Sequence, residues 1–236
     1  MFFETYEQSS AAIRFFVTSP KGSSKKQESV HPDKREEIPA GSSQVNIFFG
    51  ILQSMLQIPD DMQEIFEKAK RIRLVIFDVD GVLTDGKLIF DDAGREYKTF
   101  NTRDGHGIKM LQQSGVETAV ISGRESRAVA VRMASLGVKH VFQGQHDKRL
   151  VFDRLCEALS VDPIQVAHVG DDLPDLPLFA RVGLAIAVAD AHFAVRQRAD
   201  WCTSLPGGCG AAREVCDLLM QAQQSLEPAI EAYVVA

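Results

Sequence analysis

No apolar run in this 236-residue chain approaches the roughly 20 residues that a membrane-crossing helix needs. The N-terminus also lacks the basic-then-apolar layout of a secretory signal. Cysteine is scarce: Cys156, Cys202, Cys209 and Cys216 form no Cys-x-x-Cys pair. That argues against a zinc knuckle or a dithiol redox motif, and for reduced thiols in a cytosolic protein. There is no surplus of positive charge. The net charge of −6 argues against a general binder of nucleic acid. No internal repeat is visible. What is present is a 45% hydrophobic composition, enough for one ordinary domain with an extension.

The extension lies at the front. Lys21 to Asn46 is rich in Lys, Ser, Glu, Gly and Pro. Such a stretch cannot bury enough apolar surface to offset chain entropy. Residues 1–58 are therefore expected to be a largely disordered N-terminal extension, 59–226 the folded domain and 227–236 a C-terminal tail. Met55 and Met62 stand close to the folded region as alternative starts. A helix is predicted over about 60–69. From residue 71 strands and helices alternate. The predicted strands are 72–77, 116–121, 138–142, 165–169 and 183–188. The predicted helices are 104–114, 125–136, 147–159, 174–180, 191–199 and 210–225. Gly115, Gly137 and Gly183 fall just after helices, where a left-handed cap is expected. The alternation predicts an α/β fold, a doubly wound parallel sheet covered by helices on both faces. One segment breaks it. Lys87–Phe90 and Glu96–Phe100 flank Asp91-Asp92-Ala93-Gly94, the signature of a β-hairpin inserted after the first strand.

The chemistry gathers at predicted strand ends. The first strand, Leu74-Val75-Ile76-Phe77, runs into Asp78-Val79-Asp80. The second ends at Ser122-Gly123-Arg124, Lys148 opens the helix after the third, and the fourth ends at Gly170-Asp171-Asp172-Leu173-Pro174-Asp175. A doubly wound sheet brings these loops to one edge, where ligands bind. Carboxylates, a hydroxyl and an ammonium suit Mg²⁺-assisted phosphoryl transfer. Mg²⁺ takes oxygen ligands in an octahedron, and Asp78, Asp171 and a backbone carbonyl can supply them. Lys148 would neutralise charge on the phosphoryl oxygens, and Ser122 would donate a hydrogen bond to one of them. Asp78 would attack phosphorus, while Asp80 protonates the leaving oxygen and later activates water. Taken singly, each element has a plainer reading: a solvated loop aspartate, a turn, a helix cap or a surface lysine. The case rests on their order and on each standing at a strand end.

This set resembles the haloacid dehalogenase superfamily of phosphatases. Phe77 to Thr84 looks like its first motif, and Ser122, Lys148 and Gly170-Asp171-Asp172 with Asp175 look like the other three. The resemblance implies Asp78 as nucleophile and Asp80 as general acid/base. It also implies Mg²⁺ held by Asp78, the Asp80 carbonyl and Asp171, with Asp172 and Asp175 standing behind the ligands. Further stretches are similar to one branch that acts on an eight-carbon sugar acid phosphate: Asp78–Gly86, Phe100–Gly105, Ile121–Arg124, Gly170–Asp175 and Pro206–Glu214. The similarity runs from about 71 to 220. Cys209 departs from it, since a polar residue is more usual there.

The resemblance carries further expectations. Neither the gap before Ser122 nor the one before Lys148 can hold a lid domain, so a capless enzyme is expected. A short hairpin would be marginal alone. Pairing between subunits would roof the neighbouring site, and the resemblance implies a homotetramer. It also implies a cytoplasmic role in lipopolysaccharide precursor synthesis. Substrate contacts are expected from Asp80, Asn101, Thr102, Arg103, Asp104, Gly105, Lys109, Arg124, Arg132 and Lys148. Arginine suits a sugar carboxylate because it binds with two parallel hydrogen bonds. Arg132 has a plainer but less favoured reading as a solvated helix residue. His106 is expected to pack or be solvated. The segment Pro206-Gly207-Gly208-Cys209-Gly210 reads either as a cover for a neighbouring site or as a linker. Three other functions stay open at this point: a phosphatase of a sialic-type nine-carbon acid 9-phosphate, a phosphotransferase, and a non-catalytic scaffold.

Overall fold

A computed structural model describes residues 60–234. The expectation for residues 1–58 lies outside the described residues. The chain enters through α1 (Asp60–Ala69), which buries Ile65 and Ala69. The Gln223 side-chain amide donates to the Ala69 and Ile72 carbonyls, satisfying acceptors that the helix end leaves open.

The strand that follows, β1 (Leu74–Phe77), is buried at all four positions. An unbroken apolar run suits a strand covered on both faces, as in parallel sheets. After it come β2 (Ile89–Phe90) and β3 (Glu96–Tyr97), the two antiparallel arms of the hairpin. The alternating units then follow: α2 (Thr102–Gln113), β4 (Glu117–Ile121), α3 (Arg127–Leu136), β5 (His140–Phe142), α4 (Lys148–Leu159) and β6 (Val166–Gly170). The last third holds α5 (Leu176–Phe179), β7 (Leu184–Ala187), α6 (Phe193–Arg196), β8 (Trp201–Cys202), α7 (Ala211–Ala222) and α8 (Leu226–Val234).

Six of these strands form one parallel sheet in the order β5-β4-β1-β6-β7-β8. β1 is paired on both sides, Phe77 lying opposite Val120 of β4 and Val169 of β6. The chain thus reverses its direction of strand addition at β1, and the loop after β1 sits at that switch. Phe152, Leu155 and Leu178 pack against Leu74, Ile76 and Ile121. Each such fully buried side chain contributes roughly 1.5–3 kcal/mol relative to exposure. All four cysteines are free thiols.

The six-stranded sheet with its hairpin after β1 is the architecture expected from the alternation. Three features differ from expectation. β8 is an added edge strand of two residues. α8 occupies much of the segment read as a C-terminal tail. Gly183 is not left-handed, unlike Gly115 (φ 97°) and Gly137 (φ 75°). A Cβ at Gly183 would lie 1.9 Å from the Ile164 carbonyl oxygen, so the glycine is there for close approach of two backbones.

The hairpin turn is built by Asp91. Its Oδ1 accepts the Ala93 and Arg95 N–H groups, and Gly94 takes φ 75°. Leu88, Ile89, Phe90 and Tyr97 of this hairpin are each about half exposed. No helix among the described residues is long and apolar enough to cross a membrane.

Candidate active site

Asp78 is the first residue beyond β1, and its N–H donates to the Val169 carbonyl (3.0 Å). The loop then turns sharply. The N–H groups of Val82, Leu83 and Thr84 all converge on the Val79 carbonyl, and Gly81 adopts φ 88°. A side chain at Gly81 would collide with the Asp171 carboxylate, its Cβ 2.1 Å from Oδ2. The Asp-x-Asp-Gly loop and the acidic loop after β6 are therefore packed against each other.

Around this contact the structure gathers Asp78, Asp171 and Asp175, whose carboxylate oxygens lie within 4.8 Å of one another. Lys148, the first residue of α4, is buried beside them. Its ammonium is 2.7 Å from Asp175 Oδ1 and 3.1 Å from Asp78 Oδ1. Asp175 is a junction. Besides Lys148 it accepts the N–H groups of Asp171 (3.0 Å) and Asp172 (3.3 Å) through Oδ2. It also accepts His168, whose Nε2 is 2.9 Å from Oδ1. The other ring nitrogen of His168, Nδ1, is 3.1 Å from the Ile76 carbonyl oxygen. The two ring nitrogens thus face oxygen atoms from β1 and from the turn after β6.

The charges follow from these contacts. Burial works against ionised Asp175. The His168 hydrogen bond and charge, with Lys148, outweigh it and hold the carboxyl well below the usual range. Burial likewise works against charged Lys148, and the Asp78 and Asp175 carboxylates outweigh it in turn. Asp78 is raised by burial, with Lys148 opposing and Asp175 adding to the rise. Asp171 is pushed up to about 8, by burial first and then by the charges of Asp175, Asp78 and Asp172. Asp78 Oδ1 and Asp171 Oδ1 are buried with no hydrogen bond aligned on them, although the Lys148 ammonium is near the former. Buried carboxylate oxygens left open and crowded by like charge are what a hard divalent cation satisfies, so these residues fit Mg²⁺.

Ser122 ends β4, buried on the same side. Its peptide N–H donates to the Phe142 carbonyl (2.9 Å). Its Oγ accepts the Arg124 N–H (3.4 Å). Asp80 points toward the hairpin. It is ion-paired with Lys98 and lies 3.6 Å from the Arg124 guanidinium. Asn101 caps α2, accepting the Arg103 N–H (2.8 Å). Arg132 of α3 reaches the Asn101 carbonyl (3.4 Å). Gly105 makes that reach possible, since a Cβ there would lie 2.1 Å from an Arg132 nitrogen. Arg132 is therefore turned toward the head of α2. Thr102 and Arg103 are exposed at the same end.

Three expected site residues have other contacts in this structure. Asp104 is buried and accepts the Gly210 and Arg213 N–H groups (3.3 and 2.8 Å), so it fastens the head of α7. Burial raises its pKa, and those backbone donors oppose the rise. Lys109 lies further along α2, on a surface cleft of about 460 Å³ shared with the end of α3. Asp172 is exposed and caps the short turn at Leu173–Asp175. His106 is exposed, its ring 5.4 Å from that of Tyr233.

The residues that sequence reasoning passed over are Glu96, Lys98 and His168. Glu96 and Lys98 are two apart on one hairpin arm, so their side chains share a face. That spacing was the available signal. The glycine segment also has a definite place. The Gly208 N–H donates to the Val82 carbonyl (2.8 Å), and a Cβ at Gly207 would lie 1.7 Å from the Gly81 carbonyl oxygen. It packs on the Asp-x-Asp loop of its own chain.

An Asp-x-Asp loop at the central strand, with serine, lysine and acidic loops from the neighbouring units converging on it, defines a haloacid dehalogenase-like hydrolase. A family profile described as haloacid dehalogenase-like hydrolase matches residues 139–206. The 3-deoxy-D-manno-octulosonate 8-phosphate phosphatase KdsC of Escherichia coli K12 is 49% identical over 166 residues, covering 70% of this chain and 88% of that protein. The solved structure of a probable YrbI family phosphatase from Pseudomonas syringae is 53% identical. It superposes with a TM-score of 0.72, covering 73% of this chain and 98% of that one. A 3-deoxy-D-manno-octulosonate 8-phosphate phosphatase from Moraxella catarrhalis was solved with a magnesium ion, a phosphate ion and a KDO molecule. It is 41% identical with a TM-score of 0.72, covering 73% of this chain and 99% of that one. The chain belongs to the 3-deoxy-D-manno-octulosonate 8-phosphate phosphatase family.

Proposed function

We infer that this chain is a Mg²⁺-dependent phosphatase that hydrolyses 3-deoxy-D-manno-octulosonate 8-phosphate to the free sugar acid and phosphate. The observation that carries the reading is the convergence of Asp78, Asp171 and Asp175 within 4.8 Å around the buried Lys148 ammonium. Asp78, Asp171 and the Asp80 carbonyl would hold Mg²⁺, with Asp175 behind them. The ion, when bound, offsets negative charge on the phosphoryl oxygens.

The chain's own residues then divide the work. A carboxylate oxygen of Asp78 attacks phosphorus, and the bond from phosphorus to the sugar oxygen breaks. Asp80 gives that oxygen its proton. Lys148 and Ser122 donate hydrogen bonds to the phosphoryl oxygens. Water then attacks the aspartyl-phosphate, Asp80 takes its proton, and the bond from phosphorus to Asp78 breaks. Arg124, Arg132 and Arg103, at the head of α2 and on the β4 loop, would receive the sugar carboxylate.

The exposed Leu88, Ile89, Phe90 and Tyr97 support subunit pairing through the hairpin, and so a homotetramer that covers each site. We place the protein in the bacterial cytoplasm, supplying the lipopolysaccharide precursor pathway. The test is phosphate release from eight-carbon and nine-carbon sugar acid phosphates in parallel, with and without Mg²⁺. Preference for the eight-carbon substrate, loss with chelator and an inert Asp78→Asn variant are expected. Full turnover by Asp78→Asn would remove the nucleophile. Light scattering of wild type and Phe90→Glu tests the tetramer, which the charge should split.

A further inference from the structure

The hairpin delivers a buried cation to the general acid. The Lys98 side chain is 2% exposed, and its ammonium bonds Asp80 Oδ1 and lies 2.9 Å from Glu96 Oε1. Arg124 closes the square from the other side, 2.8 Å from Glu96 Oε2 and 3.6 Å from Asp80 Oδ2. The two cations differ in freedom, because the Arg124 side chain is 45% exposed. A lysine sunk this deep costs desolvation unless its partners compensate, and here both partners are carboxylates. Two sides of the square are directed hydrogen bonds, Lys98 to Asp80 Oδ1 and Arg124 to Glu96 Oε2, and the other two are ion pairs to Glu96 Oε1 and Asp80 Oδ2.

We propose that Lys98 is the positioning residue for Asp80. It ties the proton-transferring carboxylate to the hairpin and fixes which oxygen faces the phosphate. Glu96 offsets the Lys98 charge and is the resting partner of Arg124. Arg124 is the mobile member, free to exchange Glu96 for the substrate carboxylate. The hairpin therefore sets the geometry of proton transfer as well as covering the site. This rests on the reading of Asp80 as general acid/base given above.

The test uses the full-length protein with Lys98→Met, Lys98→Arg and Asp80→Asn, measuring kcat, KM and Mg²⁺ binding by calorimetry. Lys98→Met is expected to lower kcat about 100-fold, with KM and Mg²⁺ affinity within threefold of wild type. Lys98→Arg, which keeps the charge, should recover at least a tenth of the lost rate. Lys98→Gln, which keeps a donor, runs the same comparison if the Met variant does not fold. A kcat within threefold of wild type in the neutral variant overturns the proposal, provided Asp80→Asn is inert. Loss of Mg²⁺ binding in that variant also overturns it, since the site would then have collapsed. An active Asp80→Asn instead removes the general-acid reading, a separate failure.

Discussion

Lys148 is held 2.7 Å from Asp175, and the two are among the most deeply buried charged side chains of the fold. The carboxylate fixes the ammonium where it can also reach Asp78. Lys148→Met would leave two neighbouring carboxylates without their cation. We expect kcat to fall by roughly 10²–10³. Breaking a buried pair by removing one partner should also cost about 3 kcal/mol of stability. Steady-state kinetics and urea unfolding measure the two effects. Wild-type stability with full turnover would show the pair to be idle.

His168 connects that pair to the sheet. Phenylalanine there would fill the space but remove the ring nitrogens that face the Ile76 carbonyl and Asp175 Oδ1, leaving Lys148 on that carboxylate oxygen. Losing a buried hydrogen bond of this kind costs about 1–3 kcal/mol. We expect His168→Phe to lower the melting temperature and kcat together, with KM little changed. A kcat equal to wild type would show that Asp175 keeps its orientation without the ring.

Metal removal should be legible in the pH dependence of stability. In the metal-free protein Asp171 titrates near 8, well above the value of about 3.9 for an unfolded chain. Folding therefore favours the protonated form. The associated stability is complete below about pH 4 and is lost as pH rises through about 8. Mg²⁺ requires the ionised carboxylate, so its stabilising effect grows over the same interval. Melting curves with chelator and with saturating Mg²⁺ should diverge as pH rises. Curves that converge would place the cation elsewhere.

The glycine segment offers a steric test. Gly207→Ala puts a methyl group 1.7 Å from the Gly81 carbonyl oxygen, so the Asp-x-Asp loop must move. We expect a large loss of activity and a lower melting temperature. Gly94→Ala is the control. That residue is also left-handed in its hairpin turn, but its Cβ would meet nothing within 4 Å. Its cost should be about 1 kcal/mol, with near-normal turnover. Equal effects would mean the close contact does not govern the loop.

Sequence reading recovered what composition and periodicity encode. β1, β4 and β6 announce themselves as apolar runs, and Asp78, Ser122, Lys148 and Asp171 follow from standing at strand ends. It does not give direction. Asp104 and Asp172 are carboxylates near the right loops, but backbone N–H groups claim them, and no pattern of residue types reveals which donor a carboxylate will find. Lys109 is placed by helical phase, which puts it on the cleft with the end of α3. β8 is too short to show a period and exists through pairing with β7. His168 looked like one more residue of a buried strand. Its partners, Ile76 and Asp175, come from β1 and from the turn after β6.

The pairing of β6 with β1 has a consequence for synthesis. His168 and the Ile76 carbonyl that it holds are 92 residues apart in sequence. A ribosome making this chain releases Asp78 well before the loop that carries Asp171 and Asp175. Until that loop emerges, β1 lacks its β6 neighbour and the acidic cluster is incomplete.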